Sequence, residues 1–356
     1  MWLQRLHVQG LRCFEECELT FSPGINVLYG DNGVGKTTIL EGISVLSCGK
    51  SFRTSKLNHV IHSQLKELTL FGDVNTPDGS VQLGIQHKTG LTVLRVNREK
   101  VSKWSELAKR LPVLEIHPES YLLITGGPVE RRKFLNWGMF HVEPSYGMVW
   151  SEYNRALKQR NICLRHRQID QARYWNQNLA EAGKKIANAL QGYTQCIVPH
   201  INEISKQFEL SGDLVLNYYP GWDQERELHE LLELELQAEE VGFSTMYGPH
   251  RGDLKIIWKN QPFSKISSRG QQKVLAIALK IAQAKYLKAG CDKASVYLID
   301  ELPAELDSQR REIALNLLSQ LDAQIIISAV SKDSVDYIKN DIKWFHVEQS
   351  GVSAMV

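Results

Sequence analysis

The chain has 356 residues, 43% of them hydrophobic, and a formal net charge of +2 at pH 7, so it can bury one large core or two smaller ones, and any nucleic-acid site must be a local patch of Lys and Arg. No apolar run approaches the roughly 20 residues that span a bilayer, and the N-terminal MWLQRLHVQGLRCFEEC alternates and carries charge, unlike a secretion signal. The six cysteines are scattered with no C-x-x-C pair for zinc; Cys13 and Cys17 read as core thiols, and a soluble, reducing, cytoplasmic setting is expected.

In chain order, LQRLHVQGL and CELTFSPGINVLYG have the alternation of strands, with Pro23-Gly24 as the turn between the halves of the second. A glycine loop follows, then a helix to about Cys48. LTLFGDV, SVQLGIQ and LTVLRVN predict an antiparallel region, and LPVLEIHPES a buried strand stopped by Pro118. From about Pro128 to Leu210, Gly and Pro thin out and apolar residues recur at helical spacing: Trp150, Tyr153, Leu157 and Leu164, then Leu179, Ile186 and Leu190. Two or three long helices, two of them an antiparallel pair, are predicted there. Residues 223–240 hold eight acids against one Arg, the pattern of a solvated helix face. Strand and helix then alternate again: DLKIIWK, GQQKVLAIALKIAQAKYL, SVYLID, SQRREIALNLLSQL, AQIIISAV and IKWFHVEQ. Alternation at both ends around a helical middle predicts one α/β domain interrupted by an insertion.

The loop Gly30-Asp31-Asn32-Gly33-Val34-Gly35-Lys36-Thr37-Thr38 fits G-x-x-x-x-G-K-[ST] in full, between an apolar strand and a helix. Its glycines allow the backbone N–H groups to turn inward as an anion nest at a helix N-terminus. Lys36 supplies a point charge for the β- and γ-phosphates of ATP, and the Thr37 hydroxyl is placed to ligate Mg²⁺. SVYLIDE adds an apolar strand ending in two acids. Asp300 suits the Mg²⁺ shell, and Glu301, pointing elsewhere, suits a general base on water. A second acid at that position favours ATP hydrolysis over the chemistry of kinases and GTPases.

About thirty residues upstream of Asp300, Ser268-Arg269-Gly270-Gln271 opens a long helix. This segment is similar to the signature motif of ATP-binding-cassette (ABC) ATPases, in which a serine and a glycine at a helix N-terminus meet the γ-phosphate held by the opposite subunit. The resemblance implies an α/β, ABC-type P-loop ATPase head (a mixed sheet with flanking helices) with an inserted helical lobe. It assigns Ser268, Gly270 and Gln271 to ATP, and places Asp307, in ELPAELDSQ, on the loop that crosses the dimer interface. Transporter ATPases carry a histidine after the last core strand; here the segment is ISAVSK, with Ser328 the nearest sensor candidate.

HPESYLLITGGPVERRKFLNWGMF, with Pro118-Glu119, Gly126-Gly127-Pro128 and Arg131-Arg132-Lys133-Phe134-Leu135-Asn136, resembles the diagnostic pattern of the RecF family of bacterial recombination-repair proteins. LRCF (Leu11 to Phe14), GKSFRT (Gly49 to Thr54), YNRALKQRN (Tyr153 to Asn161) and GPHRGDL (Gly248 to Leu254) also resemble that family, in the expected order over essentially the whole chain. Gly252 stands where the family usually has an acid, and DELPAEL varies its usual wording. The resemblance implies an SMC-like head without a long coiled coil. Such a head forms an ATP-dependent homodimer, binds double-stranded DNA, and acts with RecR and RecO to help load RecA at gaps. It also implies that Arg12 reaches the nucleotide phosphates, with Lys50 to Thr54 nearby; a plain strand-surface arginine is the other reading of Arg12. The parts expected are 1–127 (first ATPase part), 128–240 (helical lobe) and 241–356 (second ATPase part).

Between Arg131 and Arg173 there are nine Lys and Arg against three acids, a basic lobe hidden by the near-neutral total. Arg155, Lys158, Arg160, Arg165 and Arg167 lie on adjacent helix turns and suit phosphates; without a helix-turn-helix or zinc finger, shape and charge recognition is expected. For Arg131-Arg132-Lys133 two readings stand, DNA contact or internal bonds between lobes. Two other functions compete with the repair clamp: a transporter-type ATPase subunit, which should carry the missing histidine, and a scaffold that binds ATP without turnover, which has no use for Asp300-Glu301.

Overall fold

The computed structural model describes residues 1–54, 56–210, 212, 214–238, 242–291, 294–301, 306–321, 323–335, 341–349 and 351–355. It divides into two compact units, residues 1–120 with 277–356, and residues 121–276.

The first unit holds two six-stranded sheets. One is antiparallel: β1 (Trp2–Leu11), β2 (Phe14–Thr20), β4 (Glu67–Thr76), β5 (Gly79–Lys88), β6 (Leu91–Val96) and β7 (Glu99–Val101), in the order β2-β1-β4-β5-β6-β7. Its strands alternate as a one-sided sheet should. In β4, Leu68, Leu70 and Val74 are buried while Thr69, Phe71 and Asp73 are half-exposed. The other sheet runs β15-β14-β3-β13-β12-β8, built from β3 (Ile25–Tyr29), β8 (Val113–Ile116), β12 (Val296–Ile299), β13 (Ile325–Ala329), β14 (Ile342–Glu348) and β15 (Gly351–Met355). Every pair in it is parallel except β14 with β15. β12 and β13 are buried at every position, which is why they read as unbroken apolar runs.

The helix Lys36–Cys48 joins the cores of the two sheets. Its Ile39, Leu40, Ile43 and Leu46 share one cluster with Leu6, Val8 and Leu70 of the antiparallel sheet and with Leu28, Leu298, Ile326 and Phe345 of the parallel one. This anchoring fixes the start of the helix beside the ends of β3, β13 and β12. β13 lies between β3 and β12, in register Ser328↔Leu28 on one side and Ile327↔Ile299 on the other. The loop after β3 and the acids after β12 therefore flank the end of one central strand.

The second unit contains the helices Pro128–Val142, Tyr146–Arg165, Asn176–Gln207 and Leu228–Gln237 and a small antiparallel sheet, β11-β10-β9, from β9 (Leu214–Tyr219), β10 (Asp253–Trp258) and β11 (Gln261–Pro262). The helices Tyr146–Arg165 and Asn176–Gln207 form the expected packed pair; a Cβ on Gly183 would lie 3.3 Å from the Tyr153 ring. β9 and β15 are not among the predicted strands: β9 is a six-residue alternation between helical texture and an acidic run. The acidic run is only partly a solvated face. Glu230 is exposed, but the Glu235 side chain is 7% exposed and bonded inward, and positions 239 and 240 lie outside the described residues. Of the two thiols read as core, Cys17 is buried, with burial pushing it up to about 12, whereas Cys13 is exposed at the turn between β1 and β2.

Candidate functional site

The loop after β3 owes its shape to two crowded glycines. Gly30 has φ 150° and Gly35 φ 113°, in the region that favours glycine. A Cβ on Gly30 would lie 2.4 Å from the Val347 carbonyl, and one on Gly35 2.6 Å from the Phe14 ring, so neither position has room for a side chain. Asp31, Asn32 and Gly33 are exposed, Val34, Gly35 and Thr37 half-buried, and Lys36 and Thr38 buried. No acid occupies the first helix turn, leaving its N–H groups to an anion. The Lys36 ammonium donates to the carbonyls of Gly30 and Asp31, both at 2.7 Å. Burial lowers its pKa, against the raising fields of Glu301, Asp300 and Asp31.

The acids meet this loop. Thr37 Oγ1 donates to Asp300 Oδ1 at 2.9 Å, and Ser328 Oγ donates to the same oxygen at 2.7 Å. The Asp300 N–H holds the Ile116 carbonyl of β8 at 2.8 Å. Glu301 leaves the strand with φ 52°, a left-handed bend, and its N–H donates to Ser328 Oγ at 2.9 Å. A hydroxyl and a carboxylate converging beside the loop are hard oxygen donors of the type Mg²⁺ accepts with water, so Thr37 and Asp300 fit that ion. Ser328 lies within β13 rather than after it, and its hydroxyl is committed to both acids.

Arg12 sits at the β1–β2 turn, packed against the loop through Cys13 and Phe14, with φ 47°. Its guanidinium is held by the fully buried Glu41, one turn along the loop's helix, at 2.5 Å (Nε–Oε2) and 2.7 Å (Nη2–Oε1). Ser51 Oγ donates to the same Glu41, which brings the segment Lys50 to Thr54 to this side of the helix. Glu41, which sequence reasoning passed over, thus ties together three segments; a charged residue amid Ile39, Leu40 and Ile43 was the available signal.

The signature segment belongs to the second unit. Ser268 Oγ accepts from the Gln271 N–H at 3.2 Å and Gln271 Oε1 accepts from the Ser268 N–H at 2.9 Å, a capping box that opens the helix Arg269–Cys291. Ser268, Arg269 and Gly270 are exposed, presenting a helix N-terminus outward. Asp307 caps the helix Ser308–Ser319, accepting from the Arg310 N–H at 2.9 Å. Positions 302–305 of the same loop lie outside the described residues.

The basic lobe needs one correction. Arg155, Lys158, Arg165 and Arg167 are exposed, but Arg160 is 0% exposed and cannot touch DNA. It bonds Asn176 Oδ1 (2.7 Å), Thr245 Oγ1 (2.8 Å), Glu235 Oε2 (3.1 Å) and the Leu232 carbonyl (3.0 Å), four acceptors that replace its hydration. The sequence carried the warning: Arg160 is seven residues from Tyr153 and four from Ala156 and Leu164, all on the buried helix face. Arg167 lies over the exposed Phe243 ring, 4.8 Å from its centroid. Of the two readings of Arg131-Arg132, internal bonding holds, but within the second unit. Arg131 makes a bidentate pair with Asp253 (2.7 and 3.1 Å), and Arg132 donates to the Gly252 carbonyl at 2.8 Å. Lys133 pairs with Glu130 at the surface.

The family described as RecF/RecN/SMC N terminal domain matches residues 2–353. The chain is 37% identical to the DNA replication and repair protein RecF of Shewanella sp. (strain W3-18-1) and 36% to that of Shewanella baltica (strain OS223), each comparison covering 100% of both chains. Its fold is similar to a solved structure of the recombination mediator protein RecF-ATP in the RecFOR pathway, with TM-score 0.88 at 26% identity over 100% of this chain and 98% of that one. A Smc head bound to the C-terminal winged-helix domain of ScpA matches at TM-score 0.62 and 16% identity, a likeness of fold alone. The chain belongs to the RecF family of DNA replication and repair proteins, within the wider RecF/RecN/SMC group.

Proposed function

We propose that this chain is an ATP-driven DNA clamp of recombinational repair: ATP closes two copies on double-stranded DNA, and hydrolysis releases them. The observation that carries this reading is the convergence of Thr37, Asp300 and Glu301 at one loop, in a chain of the RecF family. Membership in that family sets aside a transporter-type subunit, and the family's heads are ATPases. Among the described residues, no helix is long and apolar enough to cross a membrane; the setting proposed is the cytoplasm. RecR, with RecO, is the proposed partner, and loading of RecA at gaps the proposed outcome.

In this reading Gly30 to Thr38 hold the ATP phosphates through backbone N–H groups, and Lys36 exchanges its two carbonyl partners for phosphate oxygens. Thr37 and Asp300 would hold Mg²⁺, which would supply charge neutralisation at the phosphates. Glu301 takes the proton of the attacking water. Ser268, Gly270 and Gln271 of the second copy present the capped helix end to the γ-phosphate, and Asp307 lies at the same junction. Arg12 exchanges part of its contact with Glu41 for a phosphate. Arg155, Lys158, Arg165 and Arg167 carry the DNA charge contacts. The working division for these roles is 1–127, 128–240 and 241–356.

Size-exclusion with and without Mg-ATP tests the proposal, alongside turnover. Glu301→Gln should bind ATP, elute as a stable dimer and turn over at least about 100-fold more slowly. A Glu301→Gln chain that hydrolyses ATP at the parent rate removes the base assignment, and a parent that stays monomeric with ATP removes the clamp. A parent that binds and dimerises but shows no phosphate release in single turnover is the scaffold instead.

A further inference from the structure

Ser328, the nearest sensor candidate in the sequence, lies inside β13 rather than after it. It is 0% exposed, inside a strand whose other members are Ile325, Ile326, Ile327 and Ala329. An apolar residue would serve the core there as well, and a buried hydroxyl costs free energy unless its bonds are made. Both are made, and to the two residues that carry the chemistry. A hydroxyl has one proton to give, and it goes to Asp300 Oδ1 at 2.7 Å. Its lone pair accepts the Glu301 N–H at 2.9 Å.

The second bond bears on the base. β12 pairs with β13 through Ile299↔Ile327, and beyond that pair the chain bends at Glu301 into φ 52°. A left-handed bend in a residue other than glycine is strained and persists only where its surroundings hold it. In the bend, the Glu301 N–H takes the side chain of β13 as its acceptor. One hydroxyl therefore fixes both the carboxylate that meets Thr37 and the backbone corner at Glu301.

We propose that Ser328 is the positioning residue of the hydrolytic step, acting through Glu301 by holding its left-handed corner, with a secondary hold on Asp300. The inference rests on the ATPase reading above. Lys36 bonds the carbonyls of Gly30 and Asp31, not Ser328, so removing the hydroxyl spares those bonds.

The test has a kinetic arm and an arm that needs no nucleotide. Ser328→Ala should lower kcat about 10- to 100-fold, the effect of one lost hydrogen bond at a reacting group, with KM for ATP within about threefold. Ser328→Thr keeps the hydroxyl and suits a strand, and should restore most of kcat. In a Glu301→Gln background, Ser328→Ala should add less than about threefold, because the group it positions is already gone. A kcat within twofold of the parent in Ser328→Ala, or a full additional loss in the Glu301→Gln background, overturns the proposal. Independently, amide hydrogen exchange at Glu301 in the nucleotide-free protein should speed up at least about tenfold in Ser328→Ala and stay slow in Ser328→Thr. Unchanged exchange in Ser328→Ala overturns the contact. A parent without turnover sinks the ATPase reading alone, since the exchange arm still decides whether Ser328 holds the corner.

Discussion

Arg160 and Lys158 are two residues apart and do opposite work. Lys158 ends in water, while Arg160 directs its donors to Asn176, Thr245, Glu235 and Leu232 inside the second unit. Burial lowers the pKa of the Arg160 guanidinium, with Glu235 opposing the shift. Removing one partner of such a buried pair strands the other, at a cost of about 3–5 kcal/mol. Arg160→Met should lower the urea midpoint accordingly; a variant as stable as the parent would mean that Glu235 finds other partners. The triple variant Arg155→Ala, Lys158→Ala, Arg165→Ala should unfold within about 1 kcal/mol of the parent. It should bind unrelated duplexes about equally less well, with the slope of log K against log salt falling by roughly one for each phosphate no longer neutralised. An unchanged slope would place the DNA on another face.

At the scale of elements, the chain from Thr245 to Asp253 shows how a loop is pinned. Thr245 is 0% exposed, with its hydroxyl shared by Arg160 and Asn161. The Thr245 carbonyl can only accept, so His250 Nε2 carries the ring proton toward it (3.0 Å) and Nδ1 accepts the Tyr153 hydroxyl (2.6 Å). Burial, helped by the charges of Arg251, Arg132 and Arg160 and opposed by the bond to Thr245, brings His250 down to about 4 from 6.5. Between those values the unfolded chain binds a proton that the folded chain refuses. Stability from His250 is therefore whole above pH 6.5 and is lost as pH falls through 4, a contribution of about 2–3 kcal/mol. Urea midpoints of the parent should fall more steeply from pH 7 to pH 4.5 than those of His250→Gln. Parallel slopes would show that His250 is not held neutral.

On the scale of the whole molecule, the decisive question is whether ATP is shared between two chains. The loop Gly30 to Thr38 and the acids Asp300 and Glu301 belong to one unit, and the capped N-terminus at Ser268 to the other. Ser268→Arg places a bulky cation at the exposed helix end where a second chain's γ-phosphate would arrive, while leaving the loop untouched. Nucleotide binding should survive, whereas dimerisation with ATP, turnover and ATP-stimulated DNA binding should all fall to background. Calorimetry and sizing on one preparation check this. A Ser268→Arg chain that dimerises and hydrolyses ATP normally would mean that each chain works alone.

The sequence by itself determined what short-range chemistry dictates. The glycine loop before the helix was legible because its glycine spacing, Lys36 and Thr37 lie within nine residues of backbone. The acid strand was legible because four fully buried positions, Val296 to Ile299, must all be apolar before the chain can place Asp300 and Glu301 at their end. The helical middle showed in its spacing, and the order of motifs sufficed for the family. Tertiary structure decided the rest, since a side chain's role depends on which distant acceptor reaches it. Arg160 looked like its neighbours until Glu235 and Thr245, 75 and 85 residues away, surrounded it. Arg131 found Asp253 across 122 residues, and Ser328 became the holder of both acids because β13 lies beside β12. Burial of a polar group is a collective outcome of packing: periodicity can mark the face it lies on, but only the fold supplies the partner that makes the burial stable.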